Sequence, residues 1–169
     1  IVAESGRIES LVAQWLGYAK PGSMAVAPVD IVTLAKDIAH AFEARAAHAH
    51  VEIRVHVDAD ATNARVPGDA ERLRQAIGNL VLNAIQSMPK GGRVDVRVAV
   101  DHVEVADAGH GFSALALEKF GEPFHSEREG GMGLGLTLAA EVMQGHGGRV
   151  AVGNDAAGGA RVRCEFPTP

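Results

Sequence analysis

The sequence predicts an α/β two-layer sandwich, in which one mixed, mostly antiparallel sheet is covered on one face by about three helices. Five segments alternate apolar and polar residues, as strands with one solvated face do: residues 51–58, 93–100, 102–107, 149–152 and 160–166. Three others repeat apolar residues at spacings of three and four, as amphipathic helices do: residues 31–47, 71–88 and 134–144. Because several strands are separated only by turns, hairpins and a mixed sheet are expected.

The first helix of this domain has a clear start signal. Asp30 follows Pro28 and precedes the apolar repeat, so it is the predicted N-cap. Before it, residues 21–29 contain small residues and prolines and are predicted to be a linker. Residues 1–20 form a predicted helical segment that ends at Pro21-Gly22. Its apolar residues recur at intervals of seven, which is typical of a short coiled-coil seam: Ile1, Ile8, Leu11, Trp15 and Tyr18.

Composition excludes several classes of function. The net charge of -5 argues against a nucleic-acid partner or binding to an anionic membrane surface. The single cysteine, Cys164, excludes an internal disulfide and a Cys-rich zinc site, and its apolar alternate position predicts a buried thiol. No run of about 18 apolar residues predicts a membrane span. The chain begins at Ile1 without Met or a signal sequence, and we expect it to be part of a longer protein.

Two asparagines one turn apart stand out in the helix predicted at 71–88. Asn79 and Asn83 lie away from its apolar face, although asparagine favours caps and turns over helix interiors. A neutral amide oxygen such as that of Asn83 suits Mg²⁺, which usually keeps waters and substrate phosphates as its other ligands. The alternative reading of the pair is a solvated helix face.

The glycines are clustered rather than scattered. In "EGGMGLGL", glycines 130, 131, 133 and 135 run directly into the predicted helix 134–144, whose N-terminus offers free N–H groups to an anion. The chain contains no P-loop pattern, and this cluster does not follow a strand as a dinucleotide fingerprint would. A flexible loop is the alternative for the cluster taken alone.

A second cluster, "DAGHG", follows the strand predicted at 102–107. Asp107 ends that strand, and Gly109 and Gly111 turn the chain immediately after it. A carboxylate at a strand end can accept a hydrogen bond from an exocyclic amine such as that of adenine. The alternative is a turn residue whose side chain bonds its own backbone.

These motifs occur together in a specific order. "GDAERLRQAIGNLVLNAIQSMPKGG", "DAGHG", "FGEPFHSER" and "GGMGLGL" resemble the N box, first glycine box, F box and second glycine box of bacterial sensor histidine kinases. These kinases belong to the gyrase–chaperone–MutL ATPase superfamily, and the resemblance covers residues 30–167. It implies a Bergerat-type ATP-binding fold, with residues 30–169 as the catalytic ATP-binding domain. It also implies that residues 1–20 are the C-terminal part of the second helix of a dimerisation and phosphoacceptor hairpin.

The resemblance assigns roles residue by residue. Asn83 would coordinate Mg²⁺ on the ATP triphosphate, and Asn79 would support the waters of the metal. Asp107 would hold the adenine amino group, with Gly109 and Gly111 leaving room for base and sugar. The remaining expected contacts are with the phosphates and the lid over them. Arg128 would lie near the terminal phosphate, and Phe124 would anchor the lid. The backbone would surround the phosphates at Gly131, Gly133, Leu134 and Gly135.

Some positions depart from the family pattern. Ala108 and His110 replace a common Asn and a common Pro, and Gly121 is an extra residue. These departures affect expected lid contacts and leave the magnesium and adenine positions intact. The short stretch between the two glycine boxes resembles nitrogen- and oxygen-sensor kinases.

The resemblance implies a protein-histidine kinase. Its domain would transfer the γ-phosphoryl group of Mg-ATP to a histidine upstream in a homodimeric parent, for relay to a response-regulator receiver domain. The expected location is cytoplasmic, and both a membrane-anchored and a soluble parent are compatible with the sequence. None of the eight histidines has the phosphoacceptor context, so the chain alone is not expected to autophosphorylate. The alternative function is an ATP-binding regulatory or pseudokinase module.

Overall fold

The computed structural model describes residues 24–120, 134–156 and 158–167, and of Leu134 the backbone only. The strands are β1 (Ala27–Asp30), β2 (Val51–Val57), β3 (Arg65–Gly68), β4 (Gly92–Val98), β5 (His102–Asp107), β6 (Arg149–Asn154) and β7 (Ala160–Glu165). The helices are α1 (Ile31–His48), α2 (Ala70–Gln86), α3 (Ala114–Glu118) and α4 (Leu134–Gly145), and a 3₁₀ turn spans Ala59–Ala61. The helical segment predicted at residues 1–20 lies outside the described residues.

The main sheet has five strands in the order β2-β4-β5-β7-β6. Strand β2 pairs in parallel with β4, because the chain crosses through α2 between them, and all other neighbours are antiparallel. A tight turn joins β4 to β5, with the Ala99 N–H donating to the His102 carbonyl over 2.9 Å. The predicted mixed, mostly antiparallel sheet is therefore confirmed.

The core lies between one face of this sheet and helices α1, α2 and α4. Alternate residues of the central strands, among them Val94, Val96, Val103 and Val105, are at most 3% exposed. Leu73, Ile77 and Val81 on α2 are fully buried, as their spacing of four predicts. Cys164 on β7 is also fully buried, and burial raises the pKa of its thiol to about 12. The prediction of a buried core thiol is confirmed.

The opposite face of the sheet carries ion pairs between neighbouring strands. Glu104 on β5 is only 5% exposed, because Arg163 and Arg161 on β7 cover it, with nitrogen–oxygen distances of 2.8 and 3.4 Å. On β4, Arg97 pairs with Asp58 at 2.9 Å. This alternation of buried valines with paired charges is the pattern from which the strands are predicted.

Both long N-terminal helices begin at a capping aspartate. The Asp30 carboxylate accepts a hydrogen bond from the Thr33 N–H at 2.9 Å, which confirms the predicted N-cap of α1. Asp69 caps α2 by accepting from the N–H groups of Glu71 and Arg72. These bonds satisfy N–H groups that have no partner within their own helix.

A two-stranded ribbon is the main element absent from the prediction. Strand β1 occupies the end of the predicted linker 21–29 and pairs antiparallel with β3. Each strand has four residues, and Pro28 lies opposite Pro67, so neither shows a readable alternation. Helix α3 was also not predicted, since five residues are too few for a helical repeat.

Candidate functional site

The two asparagines of α2 lie half-buried on the edge of its apolar face. Their neighbours Leu80 and Ala84 are buried against the core, whereas Asn79 and Asn83 remain partly accessible. A spacing of four residues places their side chains one above the other on the helix surface. This arrangement gives two adjacent amides that could meet a ligand along one side of α2.

The start of α4 lies directly against the second of these amides. A Cβ at position 135 would be 2.9 Å from Nδ2 of Asn83 and 3.4 Å from its Oδ1. Because Gly135 has no side chain, the first turn of α4 can approach the amide at van der Waals distance. The structure thus brings together two motifs that are 52 residues apart in sequence, the asparagine helix and the glycine-rich helix start.

Asp107 ends strand β5 with its two carboxylate oxygens in different situations. Oδ1 accepts hydrogen bonds from the Gly109 N–H at 2.8 Å and from the Ala160 N–H at 3.3 Å. The first of these is the turn-forming bond of the alternative reading. Oδ2 accepts no hydrogen bond from any part of the chain that the structure describes. One oxygen therefore orients the carboxylate, and the other can receive a ligand donor.

The end of α2 brings the asparagines and this carboxylate into one site. Ser87 is the C-cap of α2, one turn beyond Asn83, and its hydroxyl donates to the Ala84 carbonyl at 2.8 Å. A Cβ at position 109 would lie 2.6 Å from the Ser87 hydroxyl oxygen, so Gly109 packs closely on the helix end. Ser87 lies inside the helix predicted at residues 71–88, and no sequence pattern marks it as a site residue.

Two further residues shape the turn after Asp107, and neither was predicted. The Asn154 side chain at the end of β6 accepts from the Phe112 N–H at 2.7 Å and donates to the Phe112 carbonyl at 2.8 Å. This pair of bonds holds the chain just after Gly111, whose φ of 73° favours glycine. Gly159 lies under Asp107, and a Cβ there would overlap the Asp107 carbonyl oxygen.

The other predicted site residues are not part of the described structure. Phe124, Arg128, Gly131 and Gly133 lie outside the described residues, as does the side chain of Leu134. Their roles remain predictions. The departure from the family pattern at Gly121 falls in the same part of the chain.

The donor set around Asn83 restricts which metal the site could hold. Within residues 24–120, 134–156 and 158–167, no group of three or more His, Cys, Asp or Glu side chains is placed to hold a metal ion. His48 at the end of α1 and His50 just after it are both exposed. An amide oxygen beside a glycine cradle fits a hard cation that brings phosphates and waters with it, and does not fit a zinc centre.

Comparison with known proteins identifies the protein family to which this fold and site belong. A family model described as "Histidine kinase-, DNA gyrase B-, and HSP90-like ATPase" matches residues 68–169, which is more than half of the chain. The chain belongs to this family of ATPases. The matched region contains Asn83, Asp107 and Gly135. No helix among the described residues is long and apolar enough to cross a membrane.

Individual relatives are named as kinases. The chain is 32% identical over 172 residues to sporulation kinase A of Bacillus subtilis, which covers 99% of this chain and 28% of that protein. It is 31% identical to the sensor histidine kinase ZraS of Escherichia coli O157:H7, with 97% of this chain and 36% of that protein covered. The chain thus spans about a third of the length of the curated relatives that it matches. These relatives do not support the nitrogen- or oxygen-sensor-like subgroup.

A solved structure agrees over nearly the whole chain. Full-length ShkA in complex with AMPPNP superposes with a TM-score of 0.80 at 30% identity, covering 98% of this chain and 37% of that one. This likeness, with the five-stranded sheet and the helices packed on it, confirms the predicted fold class.

The contact between Gly159 and Asp107 yields a test of how the site is held. We expect Gly159→Ala to lower the free energy of unfolding by about 1–3 kcal/mol. The new methyl group would push against backbone, which cannot rotate away from it as a side chain can. Gly153→Ala is the matched control, since nothing lies within 4 Å of a Cβ there. Urea denaturation of both variants measures the difference. Equal stabilities would contradict the close packing under Asp107.

Proposed function

We propose that this chain is the catalytic, Mg-ATP-binding domain of a two-component sensor histidine kinase. The observation that carries the proposal is the approach of Gly135 to the Asn83 amide, which joins the asparagine helix to the glycine-rich helix start. The names of the relatives support the kinase reading over the regulatory alternative. The proposed parent is a homodimer that acts in the cytoplasm with a response-regulator receiver domain as its partner.

The adenine end of the proposed site is Asp107. Its free Oδ2 accepts the exocyclic amine of adenine, while Oδ1 stays bonded to the Gly109 N–H at 2.8 Å. A charged acceptor held in one orientation favours an amine over the carbonyl oxygen that guanine presents at the same position. The glycines at 109 and 111 keep the turn free of side chains that would occupy the place of the base and sugar.

The phosphate end of the proposed site is the face shared by α2 and α4. The amide oxygen of Asn83 serves as a magnesium ligand, and Asn79 bonds a water of the metal from one turn earlier. The N–H groups at the start of α4 point towards the phosphates. Magnesium supplies charge neutralisation on the triphosphate, and the rest of the site holds and orients the nucleotide.

The proposed reaction is transfer of the γ-phosphoryl group to a histidine imidazole. The bond between the γ-phosphorus and the β–γ bridging oxygen breaks, a phosphorus–nitrogen bond forms, and ADP leaves. The other ring nitrogen gives up its proton to solvent, so that the imidazole ring of the product is neutral and the phosphoryl group carries the negative charge. Such a transfer needs the reacting atoms about 3–3.5 Å apart and in line. The main contribution of this chain to the reaction is therefore to position the nucleotide.

Magnesium coordination is tested at Asn83. Asn83→Ala should weaken Mg-ATP binding at least about tenfold. Mutation of a residue that only supports a metal ligand already lowers metal affinity about tenfold or more, and removal of the ligand itself should cost no less. Isothermal titration calorimetry with Mg-ATP measures the effect, and circular dichroism verifies the fold. Asn63→Ala, at an exposed loop position, is the control. Unchanged affinity in Asn83→Ala would exclude the metal-ligand role.

Base selectivity is tested at Asp107. Asp107→Asn keeps an oxygen for the Gly109 N–H but replaces the second acceptor with an amide donor. ATP should lose a charge-assisted bond of about 1.5–3 kcal/mol, and the advantage of ATP over GTP should fall or reverse. Competitive binding of ATP and GTP measures the ratio, with exposed Asp60→Asn as control. A variant that still prefers ATP as strongly as the unmodified chain would refute the adenine contact.

Transfer itself requires the acceptor histidine. The chain incubated with γ-labelled Mg-ATP should show no acid-labile label, because none of its histidines has an acceptor context. Adding a separately produced dimerisation hairpin from the parent should label the hairpin weakly, since docking is then bimolecular. An Asn83→Ala chain serves as the negative control. Nucleotide binding without transfer to the hairpin would favour the regulatory alternative, and label on the chain alone would overturn the acceptor assignment.

A further inference from the structure

One aspartate joins three separate parts of the domain. The Asp69 carboxylate caps α2 through Oδ1, which accepts from the N–H groups of Glu71 and Arg72 at 3.1 and 3.2 Å. Its other oxygen, Oδ2, accepts from the Ala25 N–H at 3.1 Å. The N–H of Asp69 itself donates to Nε2 of His146 at 2.9 Å. The same residue therefore contacts the start of α2, the chain entering the domain and the residue after α4.

The second hydrogen bond of His146 determines which of its ring nitrogens accepts from Asp69. The ring is 9% exposed, and its Nδ1 bonds the Val142 carbonyl at 2.7 Å. A carbonyl can only accept, so Nδ1 carries the proton and Nε2 is left as the acceptor for the Asp69 N–H. A Cβ on neighbouring Gly68 would come within 2.9 Å of this ring. The start of α2 and the end of α4 are thus bonded in one geometry.

The entering segment is held at more than one point. Met24 packs on the end of α4, where a Cβ at Gly145 would be 3.4 Å from its sulfur. After Ala25, strand β1 pairs with β3, which leads directly to Asp69. The side chain of Asp69 is 14% exposed, and bonds from the N–H groups of Arg72, Ala25 and Glu71 lower its pKa, so the carboxylate stays ionised at neutral pH.

Helices α2 and α4 connect this cluster to the candidate nucleotide site. They run antiparallel, with Asp69 beside His146 at one end and Asn83 beside Gly135 at the other. Fourteen residues of helix separate Asp69 from Asn83, a distance of about 21 Å at 1.5 Å per residue. A rigid helix is an element that can carry a displacement of Asp69 relative to His146 to the contact between the Asn83 amide and the start of α4.

We propose that Asp69 is a positioning residue that couples the chain segment entering the domain at residues 24–26 to the nucleotide site. The inference rests on the proposed function, since it concerns the same Mg-ATP site. Coupling between two sites is reciprocal. If the Ala25–Asp69 bond strengthens nucleotide binding by some factor, nucleotide binding must strengthen that bond by the same factor.

The sharpest variant is Asp69→Asn. Asparagine caps helices as well as aspartate, so Oδ1 can still accept from Glu71 and Arg72. Its amide nitrogen, however, faces the Ala25 N–H donor to donor and breaks that contact, and the 3.8 Å ion pair between the carboxylate and Nε of Arg72 is lost with the charge. Asp30→Asn is the matched control, because Asp30 caps α1 by the same kind of bond and accepts no hydrogen bond from residues 24–29 in the described structure.

The measurement is hydrogen exchange of the Ala25 amide by NMR, with and without saturating Mg-ATP, beside calorimetric affinities. In the unmodified chain and Asp30→Asn, nucleotide should slow Ala25 exchange about fivefold, at the lower end of usual couplings. In Asp69→Asn, that response should vanish, and Mg-ATP affinity should fall by the same factor. A merely structural role for Asp69 would lower stability without a nucleotide-dependent change at Ala25.

The outcomes separate the inference from the function on which it rests. A chain that binds Mg-ATP but shows no nucleotide effect on Ala25 overturns the coupling and leaves the proposed function standing. A chain that binds no Mg-ATP overturns the proposed function. If Asp69→Asn does not fold, the response of Ala25 in the unmodified chain decides the matter by itself.

Discussion

The approach of the start of α4 to the amide of Asn83 is the constraint on which the site depends. A Cβ at position 135 would lie 2.9 Å from the amide nitrogen, so any residue other than glycine there would have to displace the Asn83 side chain. At the other end of α4, the hydrogen bond between His146 and Asp69 fixes the position and direction of α4 along α2. The two helices then cover the valine-rich face of β5 and β7 together. The distance between the two motifs is therefore fixed by packing as much as by local sequence.

Much of the fold can be predicted from the sequence for a simple physical reason. Each strand of the main sheet has one face on the core and one in solvent, so apolar and polar residues must alternate. The Val94–Val98 region shows this directly, with buried valines separated by Asp95 and Arg97. Helix α1 begins at a capping aspartate that could be read in advance. The placement of Asn83 and Asp107 on one helix and one strand end follows from the same patterns.

What could not be predicted depends on partners far away in sequence. The Asn154 clamp acts on Phe112 across 42 residues, the Asp107 bond to Ala160 spans 53, and the Asp69 bond to His146 spans 77. No local pattern marks such contacts, since each residue alone is compatible with a solvated turn. The ribbon of β1 and β3 was missed because four-residue strands with facing prolines carry no period. The nonlocal bonds nevertheless hold the glycine turns in place.

Gly159 also affects how evolutionary conservation in this family should be interpreted. Every amino acid except glycine has a Cβ, and any Cβ at this position would overlap the carbonyl oxygen of Asp107. A loss of stability with any other residue therefore follows from backbone packing, with no need for contact with a ligand. An invariant glycine at this position in related sequences would report the close approach of two chain segments, whereas variation at Asp107 would report a change in the ligand itself.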